Sequence, residues 1–153
     1  MNRHARVLEK IKKFPLGLWF FSRFICWKAP YFQSIHPTFL KLRSGEGEAK
    51  IRNRRNVRNH LGTVHAIAMA NLCELVAGTA LEVTLPDTHR WIPKGMTIKY
   101  LSKATTDVTA RTLINVTNWP DAGSVPVLVE VRDRSGQIVV TADIEMHVSR
   151  RKS

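Results

Sequence analysis

Apolar and polar positions along this chain are organised around one stretch. From Val64 to Leu81 the sequence is apolar for about 18 residues, with only His65, Asn71, Glu74 and Thr79 as clearly polar interruptions. Ala66, Ala68, Ala70, Ala77, Gly78 and Ala80 fill the intervals and leave no polar face, the pattern of a helix enclosed on nearly all sides. Gly62-Thr63, just ahead, predicts a turn and an N-cap. A membrane span is not expected there, because a carboxylate sits mid-helix and the flanks are basic and strand-like.

Elsewhere the periodicity drops to two. Lys41 to Asn53 interleaves polar residues with Leu42, Ala49 and Ile51, as an exposed first strand does. Met96 to Ala104, Val108 to Asn118, Val125 to Arg132 and Ile138 to Val148 are rich in β-branched residues and read as four further strands. Asp133-Arg134-Ser135-Gly136 predicts a hairpin turn between the last two, and Pro120 to Gly123 a turn before them. Pro86 to Gly95, punctuated by Pro86 and Pro93, is expected to be a loop. One helix between an early strand and a run of antiparallel strands defines an α+β domain without internal repeats.

The N-terminal part follows another pattern. Residues 1–13 are basic and Phe14 to Trp27 are dense in Phe, Leu and Trp. No small-residue cleavage site follows, and the run is shorter than a membrane span, so neither a signal peptide nor an anchor is expected. Two readings stay open: a helix packed over the domain, or an amphipathic segment touching a membrane surface. Pro30-Tyr31 and His36-Pro37 then mark a linker.

Composition sharpens this picture. The 153 residues, 44% hydrophobic, suit one globular domain with a real core. Cys26 and Cys73, in separate apolar contexts, read as buried thiols rather than a disulfide framework. With 24 Lys and Arg against 12 Asp and Glu, the net charge of +12 favours anionic partners: nucleic acid, an anionic membrane or the phosphates of a coenzyme A ester. The basic residues are spread out and accompany no nucleic-acid-binding motif, so a specific nucleic-acid module is not expected. Arg52, Arg54, Arg55 and Arg58 form a solvated loop or a phosphate-contacting rim, and Arg90, Lys94, Lys99 and Lys103 are further candidates for steering a phosphorylated ligand.

The candidate chemistry sits on the apolar helix. Unpaired backbone donors in its first turn, around Ala66, form a positive pole suited to a developing oxyanion. Glu74 lies eight residues later, about 12 Å along the axis. One helix therefore does not bring both groups to the same carbonyl, whereas two antiparallel copies across a two-fold axis do. A lone carboxylate in an apolar helix is costly unless hydrogen-bonded, neutralised or facing a wet pocket, which makes Glu74 the leading functional candidate. Asn59 either braces its turn or positions a reacting group. His65 reads as a residue that fixes the helix start, and His60 as a structural or surface residue. Trp91, Tyr100 and Trp119 are candidates for an aromatic wall. No metal is expected, since the histidines are dispersed and no His-Glu-x-x-His pattern occurs.

Asn59-His60-x-Gly62-x-x-His65-Ala66-Ile67 followed by Glu74 resembles the Asn, Gly, His-Gly-Gly and helix-carboxylate pattern of the hotdog-fold acyl-CoA thioesterase superfamily, in its phenylacetate-pathway-like branch. Asn59 to Ala68 and Arg90-Trp91-Ile92-Pro93-Lys94-Gly95-Met96 resemble signatures of a hotdog group known mainly as a domain of unknown function. The resemblance spans about Phe32 to Val148. It implies an α+β hotdog domain over residues 32–153, a long central helix wrapped by a curved antiparallel sheet, behind a basic and aromatic helical extension over residues 1–31. It also implies a homodimer, or a dimer of dimers, with acyl tunnels at the interface. The Ala66 N–H would polarise a thioester carbonyl, Glu74 of the partner subunit would orient or deprotonate water, and Asn59 would position water or carbonyl. His60, Gly62, His65, Ile67, Arg90 and Lys94 fall at the implied substrate contacts. No cofactor is required; the implied ligand is an acyl group on coenzyme A or acyl carrier protein. A cytoplasmic location is expected, with peripheral membrane contact as the alternative. Two departures stand out: Ala66-Ile67 replaces the glycine pair, and Gly78 lacks the hydroxyl some relatives carry one turn beyond the carboxylate. A non-catalytic fatty-acid or acyl-lipid binder on the same fold is the competing reading.

Overall fold

The computed structural model of the protein describes residues 2–151. Helix α3, Ala66–Thr84, forms the axis, and a six-stranded antiparallel sheet in the order β1-β2-β4-β5-β6-β3 curls around it. The strands are β1 Thr38–Arg43, β2 Glu46–Ile51, β3 His89–Tyr100, β4 Val108–Leu113, β5 Ala122–Arg132 and β6 Ile138–Arg150. This is the expected hotdog arrangement. Although α3 is long and apolar enough to cross a membrane, it serves here as a core helix. Leu72, Cys73, Val76, Ala77, Ala80 and Leu81 are fully enclosed. The alternation of β5 and β6 supplies the facing layer, with Val125, Val127, Val129 and Val131 on one strand and Val140, Ala142, Ile144, Met146 and Val148 on the other. Both cysteines are buried free thiols, and burial pushes Cys73 up to about 12.

Several elements differ from the sequence expectation, each for a tertiary reason. Lys41 to Asn53 is not one strand: Gly45, at φ 82°, turns the chain between β1 and β2. The expected loop before Met96 is strand from His89 onward, because β3 is an edge strand. Pro93 therefore sacrifices no ladder bond on its outer side, and a register shift between Pro93 and Gly95 absorbs the irregularity. β4 stops at Leu113, opposite Glu46, where its β2 partner begins. Pro126 is tolerated inside β5 because β4 pairs with that strand only from Val129 to Arg132.

The N-terminal part holds two helices rather than one, α1 Arg3–Lys12 and α2 Gly17–Lys28, followed by a 3-10 helix, Pro30–Ile35. Asn2 ties them to the core. Its Oδ1 accepts from the Ala5 N–H at 2.7 Å to cap α1, while its Nδ2 donates to the carbonyls of Glu82 and Leu85 at the end of α3. The inner side of α2 docks on β1 through the Phe21–Phe39 edge contact and the bond from the Phe39 N–H to Ser22 Oγ.

Glu46 clamps the start of the sheet. It is only 3% exposed and binds Lys41 at 2.9 Å, Arg43 at 2.7 Å and Arg111 at 2.8 Å, joining β1, β2 and β4. The Lys41 hydrogen bond, opposed by burial and reinforced by Arg43 and Arg111, holds its carboxyl down to about 2 from an ordinary 4.5. A depressed folded-state value gives stability that is present above the unfolded value and lost as pH falls through the folded one. Glu46→Gln is therefore expected to be less stable than wild type at neutral pH, with the gap closing as pH falls from 4.5 to about 2. Urea denaturation across that range reads it; a gap independent of pH would contradict the clamp.

Candidate functional site

The start of α3 is built by the loop before it. Asn59 is a brace: its Oδ1 accepts from the Leu61 and Thr63 N–H groups at 3.0 and 3.2 Å, and its Nδ2 donates to Thr63 Oγ1 at 2.9 Å. That turn carries His60, Leu61 and Gly62 outward to solvent. The Val64 N–H then donates to Ala104 O at 2.8 Å and the His65 N–H to Val57 O at 2.7 Å, which aims the helix. The N-cap is His65, not Thr63, because Thr63 is engaged by Asn59. His65 Nδ1 accepts from the Ile67 N–H at 3.0 Å, so the proton of the neutral ring sits on Nε2. The N–H groups of Ala66 and Ala68 have no acceptor among the described residues, leaving two donors at the positive pole. The Tyr100 hydroxyl reaches Ala66 O at 3.3 Å, and Ile67 stands 56% exposed beside it.

Two cavities flank the helix. One of about 170 Å³ lies at its first turns, between Tyr31, Ser34, Arg58, His65, Ile67 and Asn71. Asn71 is 6% exposed, its Oδ1 has no partner, and its Nδ2 makes only a long 3.4 Å contact with Ser34 Oγ. A buried amide oxygen left unpaired is costly, so it marks a place for a donor. Asn71 was visible in the sequence only as a polar interruption; its orphaned oxygen depends on the loops packed over it.

The second cavity, about 180 Å³, has a mainly apolar surface, with Lys28 and Thr79 as well as two glutamates among its lining residues. It lies between α2, the 3-10 helix, α3 and β3, with Ile25, Ala29, Phe32, Leu75 and Trp91 on its walls. Glu74 faces it and has neither a hydrogen bond nor an ion pair among the described residues. Glu82, further along the same wall, is satisfied: it accepts from Trp91 Nε1 at 2.6 Å and meets His4 at 3.1 Å. Gly78 has a physical reason. A Cβ there would lie 2.6 Å from the Trp91 ring, so the glycine admits the indole that closes this cavity.

The remaining expected contacts are dispersed over the chain. Arg90 and Lys94 are exposed on the β3 edge, and Arg90 Nε reaches Ser149 Oγ at 3.3 Å. Their neighbour Trp91 packs at Gly78, about 18 Å along the helix axis from Ala66. Arg52 and Arg54 line a different groove with Trp19, and Lys99 lies on the outer face of the sheet. Trp119 packs against the core. Among the described residues no three His, Cys, Asp or Glu side chains are grouped to hold a metal ion.

Gly78→Ala is expected to displace the Trp91 indole, weaken its bond to Glu82 and cost about 1–3 kcal/mol through overpacking. The indole N–H resonance of Trp91 reads the displacement, and an unshifted resonance would contradict this packing.

Comparison with known proteins places this geometry in a wider set. Residues 17–148 match the family described as a domain of unknown function, DUF4442. The crystal structure of a structural-genomics protein, APC5556, is 41% identical and superposes with a TM-score of 0.84, covering 97% of this chain and 99% of that one. PA5026 from Pseudomonas aeruginosa, a protein of unknown function described as a probable thioesterase, has a TM-score of 0.74 at 16% identity, over 80% of this chain and 88% of that one. The thioesterase HI1161 from Haemophilus influenzae has a TM-score of 0.69 at 13% identity, over 78% of this chain and 82% of that one. At such identities these last two likenesses carry the fold. No curated protein matches the chain significantly.

Proposed function

This chain belongs to the DUF4442 family and shares the hotdog fold of solved thioesterases, and from its site geometry we propose that it is a dimeric thioester hydrolase acting on an acyl group carried by coenzyme A or acyl carrier protein. The observation that carries this reading is Glu74, a carboxylate without a hydrogen bond or ion pair among the described residues, on the wall of a mainly apolar cavity that Lys28, Thr79 and Glu82 also line. Glu74 is half-buried, and a carboxylate withdrawn even partly from solvent without a partner favours contact with water or a substrate. The unpaired donors at Ala66 and Ala68 supply the complementary element, an oxyanion site at a helix start.

Within a subunit the two elements are about 12 Å apart along the helix. A two-fold axis that sets two α3 helices antiparallel brings Ala66 of one chain toward the carboxylate of the other. The outer edge of β3 supports such pairing. It is a twelve-residue edge strand with Ile92 57% and Tyr100 45% exposed, and a long uncovered edge favours addition of another strand.

In the proposed reaction Glu74 takes a proton from water as the water oxygen bonds to the thioester carbon. The carbonyl π pair moves onto oxygen, where the Ala66 N–H receives it. Collapse breaks the C–S bond, and the departing thiolate recovers the proton from Glu74. Neither metal nor cofactor enters these steps. An apolar cavity of about 150 Å³ holds a benzene-sized guest, so the cavity beside Glu74 suits the reactive end of a short or aromatic acyl chain.

Free-thiol release from short, medium, long and aromatic acyl-CoA esters tests this. Glu74→Gln is expected to lower turnover by about 100-fold or more, the usual weight of a general base. Equal rates would overturn the role of Glu74. No release by either protein, with acyl lipid recovered from the native protein, would favour the non-catalytic binder, a reading that the bulky Ile67 in place of a glycine beside the helix-start cavity also supports.

A further inference from the structure

The outward face of α2 is the least expected surface of the molecule. A helix on a soluble domain normally buries one apolar stripe and turns polar residues outward. The inner side of α2 is already satisfied, with Ser22 and Cys26 buried and Phe21 and Ile25 packed on the core. Its outer side nevertheless carries Leu16, Phe20, Phe24 and Trp27 at spacings of three and four, continued by Tyr31 on the following 3-10 helix, all between 54% and 75% exposed. So contiguous an aromatic stripe marks an interaction surface rather than scattered exposure.

Charge identifies the partner. Trp19, on the same helix, forms one wall of a groove of about 430 Å³ whose other walls include Arg23, Lys50, Arg52 and Arg54, with no carboxylate among its lining residues. Those four cations form no ion pair among the described residues. Arg23 stacks over the Trp19 ring at 5.8 Å, and its Nε is buried without an acceptor. The field of the groove is felt nearby: burial, then the guanidinium groups of Arg54 and Arg23, hold His36 below its ordinary value. Aromatic side chains beside a cluster of cations match the boundary between acyl chains and anionic headgroups. Self-association through this face fits less well, since it would bring two cationic grooves together.

We propose that the exposed aromatic face of α2, with the adjoining arginine groove, docks the protein on the surface of an anionic lipid bilayer. The aromatic stripe enters the headgroup and upper acyl region, and the groove takes lipid phosphates. The helix lies along the interface and does not span, because its inner side stays on the domain. Although Tyr31 also borders the cavity at the start of α3, the docking proposal does not depend on thioester turnover and stands or falls by itself.

Co-sedimentation of the full chain with phosphatidylcholine vesicles, with and without about 30% phosphatidylglycerol, tests it. The anionic vesicles are expected to bind at least about tenfold more protein. The triple variant Phe20→Ser, Phe24→Ser, Trp27→Ser and the double variant Arg52→Gln, Arg54→Gln are each expected to lose about tenfold in partitioning, with unchanged circular dichroism because these side chains are largely outside the core. Failure of the wild type to sediment with anionic vesicles would overturn the proposal. So would undiminished binding by the aromatic variant, which would reduce the effect to net charge. An aromatic variant that loses self-association while keeping vesicle binding would reassign the face to a second copy of the chain.

Discussion

Everything in this structure follows from enclosing a helix that has no polar face. α3 buries apolar and small residues around most of its circumference, so it is stable only if other elements cover it on all sides. The curled sheet covers one side through the valine rows of β5 and β6, and the N-terminal helices and 3-10 turn cover the other. The small residues set how closely those covers approach. Gly78 lets the Trp91 ring pack against the helix backbone. With the helix so enclosed, its few polar groups stand out: the donors at its start, the Asn71 amide and the Glu74 carboxylate, all of which border cavities.

That placement links fold to chemistry. Glu82, on the same helix, is matched by Trp91 and His4, and the buried Glu46 is matched by three cations. Glu74 has no such match. A fold that pairs Glu46 and Glu82 and leaves the half-buried Glu74 without a partner beside a mainly apolar cavity keeps that carboxylate free to meet water or a substrate. The proposed catalytic pairing then depends on the helix being straight. Its rise keeps Ala66 and Glu74 of one chain apart, so a second chain supplies the missing half.

How much of this could be read from the sequence varied with the range of the interactions involved. α3, β5, β6 and the Asp133 to Gly136 turn were legible because local periodicity and turn chemistry agree with the tertiary arrangement. His89 to Gly95 was not legible as strand. Two prolines argue locally for a loop, and only the edge position of β3 makes Pro93 harmless. Thr63 fits the N-cap by local sequence, but Asn59 engages its hydroxyl and the role passes to His65. Glu74 was legible as an anomaly in an apolar run. Asn71 was equally anomalous, but its unpaired oxygen is set by Ser34 and the surrounding loops. The aromatic content of Phe14 to Trp27 left packing and membrane contact both open; the structure assigns packing to one side of α2 and leaves the other side uncovered.

The central claim, that one active site is assembled from two chains, is tested most directly by mixing two inactive proteins. Glu74→Gln removes the carboxylate. Ala66→Pro removes the oxyanion donor at a helix position where proline is well tolerated. In a hybrid dimer one site combines the intact Ala66 of the first chain with the intact Glu74 of the second. Random reassociation of equal amounts is expected to restore about one quarter of wild-type thioester hydrolysis. Two active proteins before mixing, or no recovery after confirmed hybrid formation, would contradict a shared site.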